Sequence, residues 1–290
     1  MQRVSTFVGL AMILQGASAA VATEAIPRAG AMEIRVEAGN WGDVRPRDIE
    51  AVLTTVADTL LPAFPQHAAE RVSVASSTAG PSVLLEKSAT GAHRVFLNVQ
   101  DARWDQFTYQ FSHELCHIFT NHEHREIAPG VLARDHQWFE ETLCEAVSLI
   151  ALERIAIRWE RSPPYPGWKS YASAFRDYAQ QLRDEQHRRL LPNETLGQWF
   201  AANQEALERN PYLRQKNELL AVKLLSLLEA APDGLEAIGY LNAKPSARAE
   251  SFAAYLESWY NCCPPRHRAF IIQVMALLDG PQHDRPAPVL

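Results

Sequence analysis

The sequence predicts an α+β fold, with a small mixed sheet in the amino-terminal third and helices from there to the end. Three observations predict it. Between residues 31 and 100 the chain falls into short stretches of apolar and polar alternation, the period of a half-buried strand. From Trp104 onward apolar residues recur at three- and four-residue intervals, the period of a helix packed on one side. Apolar residues make up 47% of the 290, enough for a sizeable core, and there is no repeat or low-complexity stretch except a proline-rich tail after Gly280.

The chain opens with Met1-Gln2-Arg3, an apolar run from Val4 to Leu14, and small residues through Ala22. That order predicts a secretory signal peptide over 1–22, cut after Ala19 or Ala22. The run falls well short of the roughly 20 apolar residues a membrane span needs. No cysteine precedes Cys116 to carry a lipid anchor. The expected product is exported, periplasmic or secreted, with no membrane anchor. Its net charge of −6 argues against nucleic acid as a partner.

Two parts are expected after the signal segment: a sheet-containing part over 23–125 and a helical part over 126–290. In the first, Glu33 to Ala38 alternates like a strand. Pro46 to Leu61 has helical spacing at Ile49, Val52, Leu53, Val56 and Leu60. Arg71 to Ala75, Ser82 to Lys87 and His93 to Val99 read as strands, the last two joined by a turn around Thr90-Gly91. Beyond Arg154 nearly everything is helical. Ser162-Pro163-Pro164-Tyr165-Pro166-Gly167 breaks one helix, and Trp168, Tyr171, Phe175, Tyr178 and Leu182 mark the next. Leu219 to Leu228 is apolar nearly all round and should be buried. Phe252 to Tyr260 forms a further helix that ends at Cys262-Cys263-Pro264-Pro265, before a last one through Leu278.

Chemistry concentrates between Trp104 and Ile150. His113-Glu114-Leu115-Cys116-His117 places two imidazoles four residues apart, one above the other on a helix, where both can reach one metal ion. Phe107, Phe111, Leu115, Ile118 and Phe119 fall on the opposite side, while Gln106 and Gln110 share the histidine face, so that face should meet a polar cleft. In Trp138-Phe139-Glu140-Glu141-Thr142-Leu143-Cys144-Glu145, Glu141 and Glu145 are again four apart, opposite Phe139, Leu143, Val147 and Ile150. Carboxylates on so apolar a helix are costly unless a cation meets them, and zinc (Zn2+) shared with His113 and His117 would do so.

These residues resemble the gluzincins, the thermolysin-like and aminopeptidase-like zinc metallopeptidases, whose HExxH helix is followed a few tens of residues later by a helix carrying a glutamate ligand. The resemblance covers roughly fifty residues, and Thr142 stands where that family usually has glycine. It implies a zincin-like fold and hydrolysis of a peptide or protein substrate, with His113, His117 and Glu141 as zinc ligands and Glu114 as general base. It also implies that Glu145 orients a ligand histidine, and that the last strand before the helix, Val95 to Val99, is an edge that pairs with substrate. An ordinary core strand fits that segment equally. The oxyanion-stabilising residue of such enzymes has candidates in Tyr165, Tyr171 and His136. A metzincin is disfavoured because Thr120 and Glu123 stand where it has glycine and histidine. Two further readings are a SprT-like protease whose third ligand is His122, His124 or His136, and an inactive homologue that holds zinc and binds a partner.

Four cysteines in an exported chain suggest disulfides. Cys116 lies three residues after His113 and Cys144 three after Glu141, so helices meeting at one metal would bring the two together. A Cys116–Cys144 bond is therefore expected, against the alternative of two small buried hydrophobes.

Overall fold

The computed structural model describes residues 31–128, 131–133, 135–231, 233–244 and 251–279; the expected signal segment and the proline-rich tail lie outside them. The architecture is α+β. A four-stranded sheet is built from β1 (Glu33–Val36), β2 (Arg71–Ser76), β3 (Ser82–Val83) and β4 (His93–Leu97), in the order β1-β2-β4-β3. β1, β2 and β4 run parallel, and β3 is antiparallel to β4 with Ser82 opposite Phe96 and Val83 opposite Val95. A parallel pair needs a crossover, and α1 (Pro46–Leu60) supplies it between β1 and β2. Pro46 suits the first turn, where its missing N–H costs nothing, and the apolar stripe Ile49, Val52, Leu53, Val56 and Leu60 is wholly buried.

After β2 the chain steps past the next position to form β3, then turns back through Gly91, whose φ of 77° suits a residue without Cβ, to fill the gap with β4. Of the two readings of Val95 to Val99, the core strand is the one found, and the edge that the resemblance implied is not. β4 is flanked on both sides, its Val95 and Leu97 are fully buried, and the edge strand beside it is β3. Only Ser82–Val83 of the expected Ser82 to Lys87 strand pairs.

α2 (Trp104–Phe119) packs on α1 and the sheet, and α3 (Gln137–Arg161) packs on α2. Between them lies a hairpin absent from the sequence reading, β5 (Glu126–Ala128) and β6 (Val131–Leu132). α3 stops at the Pro163-Pro164 break, as its sequence requires. The next helix begins later than its aromatic stripe suggests: Pro166–Tyr171 is a 3-10 turn, and α4 (Ala172–Asp184) follows. α5 (Leu196–Arg209) starts in a capping box in which Thr195 and Gln198 satisfy each other's backbone groups. The last helices are α6 (Arg214–Ala230), α7 (Gly234–Ile238), α8 (Phe252–Cys262) and α9 (Pro265–Asp279). One hydrophobic cluster runs from Met32 to Leu278 and joins the sheet part to the helical part. No helix among the described residues is long and apolar enough to cross a membrane.

Candidate metal centre

The site stands on two helices that cannot rotate. Phe107, Phe111, Leu115 and Phe119 of α2 are fully buried, and Phe119 stacks on Phe64 with ring centroids 4.2 Å apart. Each such side chain contributes about 1.5–3 kcal/mol by leaving water. Trp138, Phe139, Leu143 and Val147 of α3 are likewise at 0% exposure. With those stripes fixed inward, His113, His117 and Glu141 have one direction left, towards each other.

There, Nε2 of His113 lies 3.2 Å and Nε2 of His117 3.5 Å from the same Glu141 oxygen, Oε2. Ligand atoms about 2.0–2.1 Å from a tetrahedral zinc stand about 3.3–3.5 Å apart, so both imidazole–carboxylate distances suit a Zn2+ ion, and all three ligand atoms lie within 4.8 Å of one another. The donor set, two imidazoles and one carboxylate, is also the chemistry that ion takes. Of the other histidines weighed as ligands, His122 points Nδ1 at the carbonyl of His117, His124 at the carbonyl of Asn242, and His136 at Glu208. None joins the cluster.

Charge holds the cluster in a cation-seeking state. Burial opposes protonation of both imidazoles, but Glu141, with Glu114 beside His113 and Glu140 beside His117, outweighs it and raises both pKa values. Burial likewise pushes Glu141 up, and the two histidines overcome it and hold the carboxyl well below the usual range. Glu114 is 4% exposed, and burial raises its pKa against the pull of both histidines.

Zinc needs the Nε2 lone pairs that protons occupy, so protons must leave as it binds. Because both histidine pKa values lie above the ordinary 6.5, those protons are held to higher pH than on a free imidazole. The rise in Tm on adding zinc is therefore expected to be small at about pH 6 and to grow towards about pH 8. The lowered pKa values of His67 and His93 come from groups outside the cluster, so they affect the zinc-free and zinc-bound forms alike and cancel in the difference. Fluorimetric melting with and without zinc checks this, and a zinc effect that ignores pH contradicts it.

A second carboxylate decides which nitrogen of His117 is free. Glu140 Oε1 accepts from His117 Nδ1 at 2.7 Å, which leaves Nε2, turned to Glu141, as the nitrogen that can bind a metal once its proton has gone. Glu140 is 2% exposed, and its other oxygen accepts from Arg125 Nη1 at 3.2 Å and Asn242 Nδ2 at 3.0 Å. Tyr255 in turn donates to Asn242. The sequence reading passed over Glu140. An adjacent pair of glutamates near the start of so apolar a helix was the available signal, since one residue's rotation of about 100° lets one face the ligands and the other the helix behind them. Glu145 stands behind the other histidine, its Oε2 4.0 Å from His113 Nδ1, too far for a direct hydrogen bond. Its bonds come from Tyr109 Oη at 2.5 Å and Arg188 Nη1 at 2.7 Å.

The cluster lies in a cleft of about 640 Å³ whose lining includes residues 79–83 and Tyr212, Arg214 and Asn217. Glu114 faces it, close to the backbone N–H of Val83 on the edge strand. The tyrosines first considered for the oxyanion are elsewhere: Tyr171 donates to Asp105 and Tyr165 packs edge-on against Trp168. The tyrosines that do line the cleft are Tyr109 and Tyr212.

Cys116 and Cys144 do meet, but as free thiols, which corrects the expected disulfide. Both are at 0% exposure between α2 and α3, and burial and the Cys116 contact push the Cys144 thiol well up. They serve as small hydrophobes at the helix contact. No protein-family model matches this chain and no curated protein is significantly similar to it, so the chemistry of the site has to carry any assignment of function.

Proposed function

We propose that this chain is an exported, zincin-like zinc peptidase. The observation that carries the reading is the convergence of two imidazole nitrogens within 3.2 and 3.5 Å of one Glu141 oxygen, beside a buried Glu114 in an open cleft. A module that only stored zinc would need the three ligands and not a buried carboxylate next to them. The antiparallel edge strand along the rim supports the zincin-like reading, since an extended peptide can add to it through backbone hydrogen bonds.

When bound, zinc would supply the Lewis acidity that acidifies a water and polarises the scissile carbonyl. Glu114 takes the proton from that water as it attacks the carbonyl carbon, and delivers it to the departing amine nitrogen. A carboxyl whose pKa burial has raised suits both acceptance and return. Glu140 keeps the second proton of His117 on Nδ1, so the ligand nitrogen stays available.

Purified protein is expected to carry one zinc per chain, lost in His113→Ala, His117→Ala and Glu141→Ala, and to cleave members of a peptide library only when loaded. Elemental analysis alongside mass spectrometry of the digest reads both. Full zinc in Glu141→Ala would move the third ligand elsewhere, and a loaded wild type that cuts nothing would remove the peptidase reading.

A further inference from the structure

Arg125 and Arg214 line the cleft and Arg188 lies against its lining residues Glu145 and Glu218; two of the three are spent. Arg125, 4% exposed, gives Nη1 to Glu140 and its remaining nitrogens to the carbonyls of Ala133 and Asp135. Arg188, 1% exposed, gives Nη1 to Glu145 and Nε to Glu185, with Nη2 3.1 Å from Glu218. Arg214 differs. Its Nε is anchored to Glu218 Oε1 at 2.7 Å, yet its side chain is 72% exposed, and neither Nη atom donates a hydrogen bond to any described residue.

The anchor does not neutralise it. Glu218, 5% exposed, is shared with Arg188 and with His187 Nε2, so three basic groups converge on one carboxylate. Burial works against the charged form of Arg214, but Glu218 dominates and raises its pKa, so the guanidinium stays charged at every working pH. Of the other acidic groups lining the cleft, Glu140 is committed to Arg125 and His117, Glu145 to Arg188 and Tyr109, and Glu141 to the histidine pair, while Glu114 is bonded by the backbone of Val83. What the cleft offers a ligand on this wall is a fixed, charged, outward-facing fork. A planar guanidinium held at Nε and free at both Nη atoms suits a carboxylate.

We infer that Arg214 is a specificity-determining residue, which selects a substrate carrying a carboxylate near the scissile bond. The carboxylate could belong to an aspartate or glutamate side chain or to the chain terminus. The inference rests on the peptidase reading for the ligand being a peptide, but carboxylate selection is a property of the cleft wall and can be read without cleavage. The lining residues Ala79, Gly80, Pro81 and Ser82 leave room for it, being small and without charge.

The test uses zinc-loaded Glu114→Gln protein and fluorescent hexapeptides that differ at one position, Glu, Gln or Lys, each made with a free or an amidated carboxyl terminus. The Glu peptides, or all peptides with a free terminus, are expected to bind about tenfold tighter than their uncharged counterparts at low salt, and the pattern tells side chain from terminus. Adding Arg214→Gln should flatten the preference and Arg214→Glu should reverse it, with zinc content unchanged. Arg214→Lys should retain part of it, and melting curves confirm that each variant folds. Equal binding of Glu and Lys peptides irrespective of terminus, or a preference that survives Arg214→Glu, overturns the inference. Charge-selective binding by a protein whose wild type cleaves none of the peptides would support the inference and overturn only the peptidase reading.

Discussion

Glu114→Gln is expected to bind zinc as the wild type does and to lose hydrolysis by a factor of about 10²–10⁴ in kcat, the usual contribution of a positioned general base. The amide has the shape of the carboxyl and can accept a hydrogen bond from the attacking water, but it cannot take the proton. Glu114 is not one of the three converging donors, so its replacement leaves the ligand set of His113, His117 and Glu141 in place. Burial of the side chain at 4% exposure also favours an uncharged replacement, so the variant should melt no lower than the wild type. Steady-state kinetics on any peptide the wild type cuts, with zinc analysis of the same preparation, checks both halves. Retained hydrolysis would give the base's role to another group.

Glu140→Ala is expected to have the largest effect on stability. His117 Nδ1 and Arg125 Nη1 lose their acceptor together, and Asn242 Nδ2 keeps only the Thr120 carbonyl. Arg125 is 4% exposed, and a buried charge stripped of its partner costs about 3–5 kcal/mol. His117 also loses the bond that selects its Nε2 lone pair, so zinc affinity should fall by roughly 10–100-fold. Glu140→Gln separates the two effects, since it can still accept from His117 but brings no charge to Arg125. Denaturant titration gives the first number and competition against a zinc chelator the second. Glu145→Ala should disturb zinc less, because Glu145 stands 4.0 Å from His113 and bonds to Tyr109 and Arg188 instead.

Helices were legible in the sequence where one periodic stripe met one buried face. The apolar spacings in α1 and α2 matched the buried sets because a 3.6-residue repeat is written along the chain itself. The His113, His117 and Glu141 juxtaposition was legible for the same reason, each residue being fixed by the stripe opposite it. Sheet order was not. Whether His93–Leu97 lies at the edge depends on where the preceding segment pairs, and a two-residue strand such as Ser82–Val83 leaves almost no pattern. Glu140 and Arg214 were hidden differently, because their roles come from residues far along the chain: Asn242 is 102 residues from Glu140, and the cleft that Arg214 lines also takes in residues 79–83. Cys116 and Cys144 show the limit of rotation arguments, which can say that two side chains meet but not whether a covalent bond joins them.

The central claim is that one zinc ion is held by two imidazoles and a carboxylate with a position left for water. X-ray absorption at the zinc edge of the purified protein tests it most directly. The expected spectrum has one zinc per chain in a shell of nitrogen and oxygen only, at about 2.0–2.1 Å, with the outer scattering of two histidines. A sulfur shell at about 2.3 Å would contradict it by bringing in Cys116 or Cys144, and a protein that takes up no zinc would contradict it outright.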